Sequence, residues 1–214
     1  MGYFIEKEFL VVFVIPLYLI VLGITIFKKK KKGEKIDFFR EIVKFGFGLY
    51  IIALIGVTLF PIRIGYGRQA ITMINMGINY IPFKSIIYDI RQIGIGSFSV
   101  RFQIKLLIMN VLGNFILLIP IGFLTPILWK KVNSLKDIVI VGFLVSLSIE
   151  LLQLLENFLS IGFFRVVDVD DLILNVLGAV FGYMAYQVIL RLKWSLIIRN
   201  TSLNLSLRRT YPGA

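Results

Sequence analysis

The amino-acid sequence predicts an all-α membrane protein, a polytopic bundle of about five transmembrane helices with a short interfacial helix on its outer side. Composition, apolar run length and the placement of basic residues support this fold class. Of the 214 residues, 58% are hydrophobic and 17% are charged, and the mean hydropathy is +0.89. A chain of this size cannot hide so much apolar surface in a core, so the excess must face lipid. The composition excludes a water-soluble globule.

Five apolar runs are long enough to cross the hydrocarbon layer as helices. A helix rises about 1.5 Å per residue, so about 20 apolar residues span the layer. The runs are residues 9–27, 42–60, 106–128, 138–159 and 172–192. Lipid offers no partner to a free backbone amide, which favours helices over open strands. Lysines follow the first run, as in a membrane anchor rather than a cleaved signal peptide.

Basic residues lie between these runs and predict the orientation. Residues 28–44 hold eight Lys and Arg, the turn at 130–136 holds three, and the tail after residue 190 holds five. All three segments lie on one side of a five-span chain. Because cytoplasmic loops are enriched in Lys and Arg, we expect the N-terminus outside and the C-terminus in the cytoplasm.

The net charge of +12 indicates a lipid partner rather than a nucleic acid. The lysine run, Lys28 to Lys32, is predicted to contact anionic phospholipid, where each cation near the surface contributes about 1 kcal/mol. No nucleic-acid-binding motif accompanies the charge. The chain also has no histidine and no cysteine. Imidazole bases and metal sites with histidine or cysteine ligands are thereby excluded. The leading interpretation of the sequence assigns no cofactor and no metal site.

The predicted organisation has three parts. Residues 1–41 form the first transmembrane helix and a Lys-rich cytoplasmic loop, residues 42–192 form the main bundle, and residues 193–214 form a polar cytoplasmic tail. We expect residues 200–214 to lack regular structure. In the long outer loop, Phe83, Ile86, Ile87 and Ile90 recur at helical spacing. This pattern predicts the short amphipathic helix in the outer interface.

The fourth run has one polar face. Ser146, Glu150, Gln153 and Asn157 follow one another at offsets of 4, 7 and 11 residues, which aligns them on a helix. A carboxylate at mid-membrane costs on the order of 2.5 to 3.5 kcal/mol, so Glu150 should face the bundle interior or a wet cavity.

The fifth run repeats these offsets with Asp171, Asn175, Gly178 and Gly182. Its Gly-x-x-x-Gly half predicts close packing against a neighbouring helix. In the third run, Asn110 and Asn114 share a face, and a kink is predicted near Pro120 and Gly122.

These polar residues converge at one depth in the outer half of the membrane and predict an outward-open polar pocket lined by the second to fifth spans. The predicted ligand-binding residues are Glu150, Gln153, Arg165, Asp168, Asp171, Asn110, Asn114 and Asn175. The alternative for each is structural. The amides would be interhelical hydrogen bonds, the aspartates a turn and a helix cap, and Glu150 a partner of Arg165.

Ordered sequence blocks resemble the VanZ-like family of bacterial membrane proteins, named for a teicoplanin-resistance protein. The blocks are Thr58-Leu-Phe-Pro61, Asn79-Tyr-Ile-Pro82-Phe83, Asn110-Val-Leu-Gly-Asn114 with Pro120-Ile-Gly122, Ser146 to Gln153, and Arg165 with Asp168, Asp170, Asp171, Asn175, Gly178 and Gly182. They span residues 50–186. The resemblance implies that the protein lies in the bacterial plasma membrane and is linked to glycopeptide resistance. It also implies that lipid-linked cell-wall precursors are its candidate ligands or substrates.

The leading functional hypothesis is a non-enzymatic protein whose outer pocket binds an amphiphile: a lipid-linked cell-wall intermediate, a phospholipid or a lipoglycopeptide. Arg165 would meet an anionic head group. No catalytic residue is assigned. The alternative is an enzyme acting on a lipid-linked phosphate or sugar, in which Asp168, Asp170 and Asp171 hold Mg²⁺ and Glu150 is the general base. A proton-coupled carrier is a third hypothesis, disfavoured because no inverted repeat is evident.

Overall fold

The computed structural model describes residues 2–65, 78–159 and 165–210, most of which are helical. The helices are α1 (Ile15–Lys31, continuing a π-helical segment at Leu10–Val14), α2 (Phe38–Leu59), α3 (Lys84–Gln92), α4 (Val100–Leu117), α5 (Ile119–Leu128), α6 (Leu135–Leu159) and α7 (Val169–Thr210). The strands are β1 (Gly2–Ile5), β2 (Ile62–Gly65), β3 (Ile78–Asn79) and β4 (Val167–Asp168).

The described residues contain five helical segments long and apolar enough to cross a membrane, which confirms the predicted helical bundle. They are Leu10–Lys31, Phe38–Leu59, Val100–Leu128, Leu135–Phe158 and Val169–Leu192. Each overlaps one predicted run. Large apolar side chains are exposed along them, such as Phe13 at 60% and Ile20 at 58%. In a bundle of this kind such side chains face lipid rather than water.

The third span is broken into α4 and α5, as the proline predicts. Pro120 begins α5 and has no backbone N–H to continue the α4 hydrogen-bond ladder. The carbonyl of Leu117 at the break accepts a hydrogen bond of 2.6 Å from the Tyr50 hydroxyl on α2. The kink is therefore stabilised by a neighbouring helix.

The predicted close packing of the fifth span is also confirmed. A methyl group on Gly178 would overlap the carbonyl oxygen of Phe115 in α4, and one on Gly182 would overlap the carbonyl oxygen of Ile119 in α5. Glycine is required at both positions because the two backbones touch there.

The apolar core lies where the broken third span meets α6 and α7. Leu118, Ile138 and Ala179 are fully buried, and Leu54 of α2 joins the same cluster. By contrast, α1 buries no residue of its own. It is a peripheral helix beside α2, where the Tyr18 hydroxyl donates to the Lys44 carbonyl at 3.1 Å.

Four short strands lie at one end of the bundle, here named the strand end. β1 pairs antiparallel with β2 and ties the N-terminus to the chain after α2. β3 pairs parallel with β4 and ties the long loop to the start of α7. The helix predicted in that loop is present as α3. The opposite end carries the lysine-rich turn between α1 and α2 and is here named the basic end.

The expectation for the tail is wrong over part of its length. The backbone of α7 stays helical to Thr210, beyond the membrane-length segment that ends at Leu192. Between Tyr183 and Tyr211 the sequence has neither glycine nor proline, so no residue there stops the helix. Residues 211–214 lie outside the described part of the chain.

Candidate functional site

Arg165 closes the end of α2 at the strand end. Its guanidinium donates to the carbonyl of Thr58 and, at 3.2 Å, to that of Phe60. The last carbonyls of a helix have no partner within the helix, so a cation placed there stabilises the helix end. The Arg165 Nε atom lies 3.3 Å from Oε2 of Glu156, and 19% of the Arg165 side chain is exposed.

The end of α6 holds Arg165 by its backbone as well. The buried Asn157 amide donates to the Arg165 carbonyl and accepts from its N–H, both at 2.8 Å. One turn earlier, Gln153 Nε2 donates to the Thr58 carbonyl at 3.0 Å. Two residues of the predicted polar face of α6 thus position the junction between α2 and the segment before α7.

Glu150 has a different partner from the one considered in the structural alternative. Its Oε2 accepts a hydrogen bond of 3.1 Å from the backbone N–H of Asp168, and only 5% of the residue is exposed. The ion pair of Arg165 is with Glu156 instead. The alternative that Glu150 pairs with Arg165 is therefore wrong, because Glu150 lies deeper in α6 and faces the start of α7.

Asp168 links the two short parallel strands. Its Oδ1 accepts from Asn79 Nδ2 at 2.8 Å and from the Asp170 N–H at 2.9 Å. Asn79 lies opposite Asp168 in the register of β3 and β4 and also donates to Ser85 Oγ at 2.9 Å. A single carboxylate therefore joins the long loop, the start of α3 and the start of α7.

Asp170 caps α3 from another helix. It is 2% exposed, its Oδ1 accepts from the Phe83 N–H, and its Oδ2 accepts from the Ile86 N–H at 3.4 Å. The cap residue of α3, Phe83, provides no side-chain cap of its own. A carboxylate at a helix N-terminus satisfies free amides and the positive end of the helix dipole. Asp170 thereby docks the interfacial helix on the bundle.

Asp89 on α3 lies near this network. Burial raises the pKa of Asp89 above its ordinary value, and the negative charge of Asp168 raises it further. Ionisation of Asp89 is therefore less favourable while α3 is docked than it is in water.

Asn175 and Ser146 form a separate contact within the bundle. The Asn175 amide donates to Ser146 Oγ at 2.9 Å, and both residues are at most 1% exposed. This is the interhelical hydrogen bond considered for such residues in sequence. Asp171, one turn before Asn175 on α7, is half-buried.

Asn110 and Asn114 form a hydrogen-bonded pair of their own on α4. Asn114 Nδ2 donates to Asn110 Oδ1 at 3.2 Å, on the exposed side of α4. The reason is the packing of α4, which places the Phe115 carbonyl against Gly178. Neighbouring helix positions differ by about 100°, so Asn114 is turned away from that contact. In the described structure these two asparagines bond to each other rather than to the Arg165 and Asp168 network.

A cavity of about 1190 Å³ opens beside the network, between the N-terminal segment and α2. Three lining residues, Glu6, Lys7 and Glu8, are charged and are here named the charged mouth, and the other lining residues are apolar. The cavity is lined by Glu6, Lys7, Glu8, Leu10, Val11, Ile15, Leu49, Ile52, Ala53, Gly56, Val57, Phe60 and Pro61. Phe60 belongs to both features, because its carbonyl accepts from Arg165. None of the eight predicted ligand-binding residues lines this cavity, which lies beside the first and second spans and is not the predicted pocket among the second to fifth spans.

Comparison with protein families decides the assignment. The model of the VanZ/LLP1 family matches residues 47–191, more than half of the chain. The chain belongs to the VanZ/LLP1 family. The resemblance seen in sequence is thereby confirmed. No curated protein and no solved structure matches the chain.

The VanZ/LLP1 match contains the whole polar network but not all of the cavity. Arg165, Glu150, Asp168 and Asp170 lie within the matched residues, as does the α2 wall from Leu49. The α1 wall and the charged mouth precede the match. The network is therefore a feature of the family region, and the N-terminal segment completes the cavity.

The metal site considered for this VanZ/LLP1 protein has no support in the described geometry. Asp168 and Asp170 direct their oxygens at N–H donors of Asn79, Phe83 and Ile86. Over residues 2–65, 78–159 and 165–210, no group of three or more carboxylates is arranged to hold a metal ion.

Sequence reasoning missed the role of Glu156. It lies six residues after Glu150, off the polar face, so helical periodicity gave no signal. A buried acid at the end of a span, nine residues before an arginine, was the only available indication. Asn79 was noted as part of the resemblance, but its bond to Asp168 joins residues 89 positions apart.

Proposed function

We propose that this VanZ/LLP1-family protein binds an amphiphile at the outer face of the bacterial plasma membrane. The candidate ligands are a lipid-linked cell-wall intermediate, a phospholipid or a lipoglycopeptide, and the last would link the protein to glycopeptide resistance. The observation that supports this function is the cavity between the N-terminal segment and α2.

The cavity has the size and the polarity that an amphiphile needs. Small-molecule sites usually enclose about 300 to 1000 Å³, and the cavity is about 1190 Å³. The apolar side chains of Leu10, Val11 and Ile52 would bury an acyl or prenyl chain. The charged mouth at Glu6, Lys7 and Glu8 would remain with the head group.

In this proposal the polar network holds the cavity wall and offers one cation to the head group. Arg165 does not itself line the cavity; it fixes Phe60, a wall residue, and 19% of its side chain stays exposed. An arginine fork suits a phosphate or carboxylate group. Ligand contacts for the other predicted residues stay predictions, and Asn110 and Asn114 would reach the ligand only from the exposed side of α4.

The proposed orientation can be tested cleanly because the chain has no cysteine. Tyr3 on β1 is 67% exposed, and Lys131 at the basic end is also exposed. We expect Tyr3→Cys, and not Lys131→Cys, to react with a membrane-impermeant maleimide in intact cells. Permeabilised cells should label both variants. Labelling of Lys131→Cys alone in intact cells would reverse the proposed topology.

Ligand binding can be tested by filling the cavity. Val11 lines it, whereas the adjacent Val12 does not, and the two are 62% and 60% exposed. We expect Val11→Trp to weaken binding of a polyprenyl-pyrophosphate-linked sugar or a fluorescent phospholipid in nanodiscs by about tenfold, or 1.4 kcal/mol. Val12→Trp is the matched control and should bind like the wild type. Equal affinity in both variants would contradict the proposed site.

A further inference from the structure

A second cleft lies at the basic end, between α1, α2 and α5. Its volume is about 440 Å³. It is lined by Tyr18, Val21, Leu22, Thr25, Arg40, Lys44, Phe47, Gly48, Leu128 and Trp129. None of these residues lines the cavity at the strand end, so the two sites are distinct.

The cleft carries an excess of positive charge. Glu41 Oε1 accepts from Lys29 at 2.7 Å and from Lys44 at 2.9 Å, so one carboxylate is shared by two ammonium groups. Arg40 donates through Nη2 to the neutral carbonyl of Leu128 at 3.1 Å. Among the described residues, the only charged ones that line the cleft are two cations, Arg40 and Lys44, while Glu41 and Lys29 lie outside its lining.

Apolar and aromatic residues continue the cleft away from these charges. Val21 and Leu22 lie two turns before the first lysine of the α1 run. Trp129 stands edge-on to Phe47 with ring centroids 5.3 Å apart. Tryptophan and tyrosine favour the boundary between head groups and hydrocarbon. The cleft thus combines a cationic rim, an aromatic boundary and an apolar base.

We propose that this cleft binds one anionic phospholipid, with its phosphate between Arg40 and Lys44 and an acyl chain along Val21 and Leu22. The charge excess selects an anionic head group, and the apolar base selects a lipid over a free anion. This site differs from general attraction of the lysine run to the surface, because two cations are fixed beside a shaped cleft. It is also independent of the amphiphile proposed for the strand end.

The charge requirement is tested with matched lysine variants. Lys44→Gln removes a cation from the cleft, whereas Lys30→Gln removes one from the exposed lysine run. Retention of phosphatidylglycerol is measured by native mass spectrometry of the full chain released from nanodiscs, with phosphatidylcholine as the neutral comparison. We expect Lys44→Gln to lower phosphatidylglycerol affinity about fivefold, as loss of one near-surface cation predicts, and Lys30→Gln to change it little.

A second pair of variants tests the cleft without changing the ion pairs of Glu41. Thr25 lines the cleft and its neighbour Ile24 does not. Thr25→Trp should displace the lipid, while Ile24→Trp should retain it. Equal losses in Lys44→Gln and Lys30→Gln, equal retention of both lipids, retention by Thr25→Trp, or displacement of the lipid by inorganic phosphate would each overturn the proposal.

Discussion

Arg165 is the residue on which the strand end depends most. It joins two carbonyls at the end of α2 to the carboxylate of Glu156, while Asn157 fixes its backbone. The structural alternative considered in sequence paired this arginine with Glu150, whereas its partner is Glu156. Glu150 and Glu156 are both on α6, and which of them reaches Arg165 depends on the path of the chain before α7. Helical spacing alone does not specify that path.

Neutralising Arg165 should destabilise the bundle. We expect Arg165→Gln to lower the free energy of unfolding by about 3 kcal/mol, because it breaks a largely buried ion pair with Glu156 and removes the guanidinium from the carbonyls at the end of α2. Breaking a buried ion pair costs about 3 to 5 kcal/mol. The low end of this range applies because part of the Arg165 side chain is exposed. Chemical unfolding in mixed micelles measures it. Arg101→Gln, at an exposed arginine on α4, removes the same charge and should cost less than about 0.5 kcal/mol. Similar losses of unfolding free energy in both variants would contradict the proposal that Arg165 stabilises the end of α2.

At the scale of elements, the N-terminus of α3 is capped by Asp170, a residue of α7. The amphipathic pattern predicted α3, and hydropathy predicted the five spans, because both depend on local sequence. The cap from Asp170 and the pairing of β3 with β4 could not be predicted, since they join residues 84 to 89 positions apart. Two-residue strands carry no periodic signal of their own.

The docking of α3 should depend on pH through Asp89. A carboxyl group whose pKa is raised by docking favours the docked state when it is protonated. The contribution of Asp89 to docking is therefore largest below its ordinary pKa of 3.8 and is lost as the pH rises through the raised value. Hydrogen exchange of α3, corrected for the intrinsic rate at each pH, should show protection falling over that interval. Asp89→Asn should remove the dependence and increase protection at neutral pH. Protection that rises with pH would contradict the assignment.

At the scale of the whole molecule, the bundle has a tight part and a loose part. The broken third span packs backbone to backbone against α7, as Gly178 and Gly182 require. The first span, in contrast, contacts α2 through residues such as Leu10, Tyr18 and Lys29, and two cavities are lined by residues of both spans. The glycine pattern predicted the tight part. The loose part was not predictable, because a uniformly apolar helix such as α1 does not indicate which of its faces meets protein and which meets lipid.

The most direct test of the proposed binding function is a structure of the protein in nanodiscs that contain the candidate amphiphile. We expect elongated density in the cavity between the N-terminal segment and α2, with its polar end near Lys7 and the junction of Phe60 with Arg165. A cavity closed by α1 packing flat against α2, with no ligand density at saturating amphiphile, would contradict the proposed function.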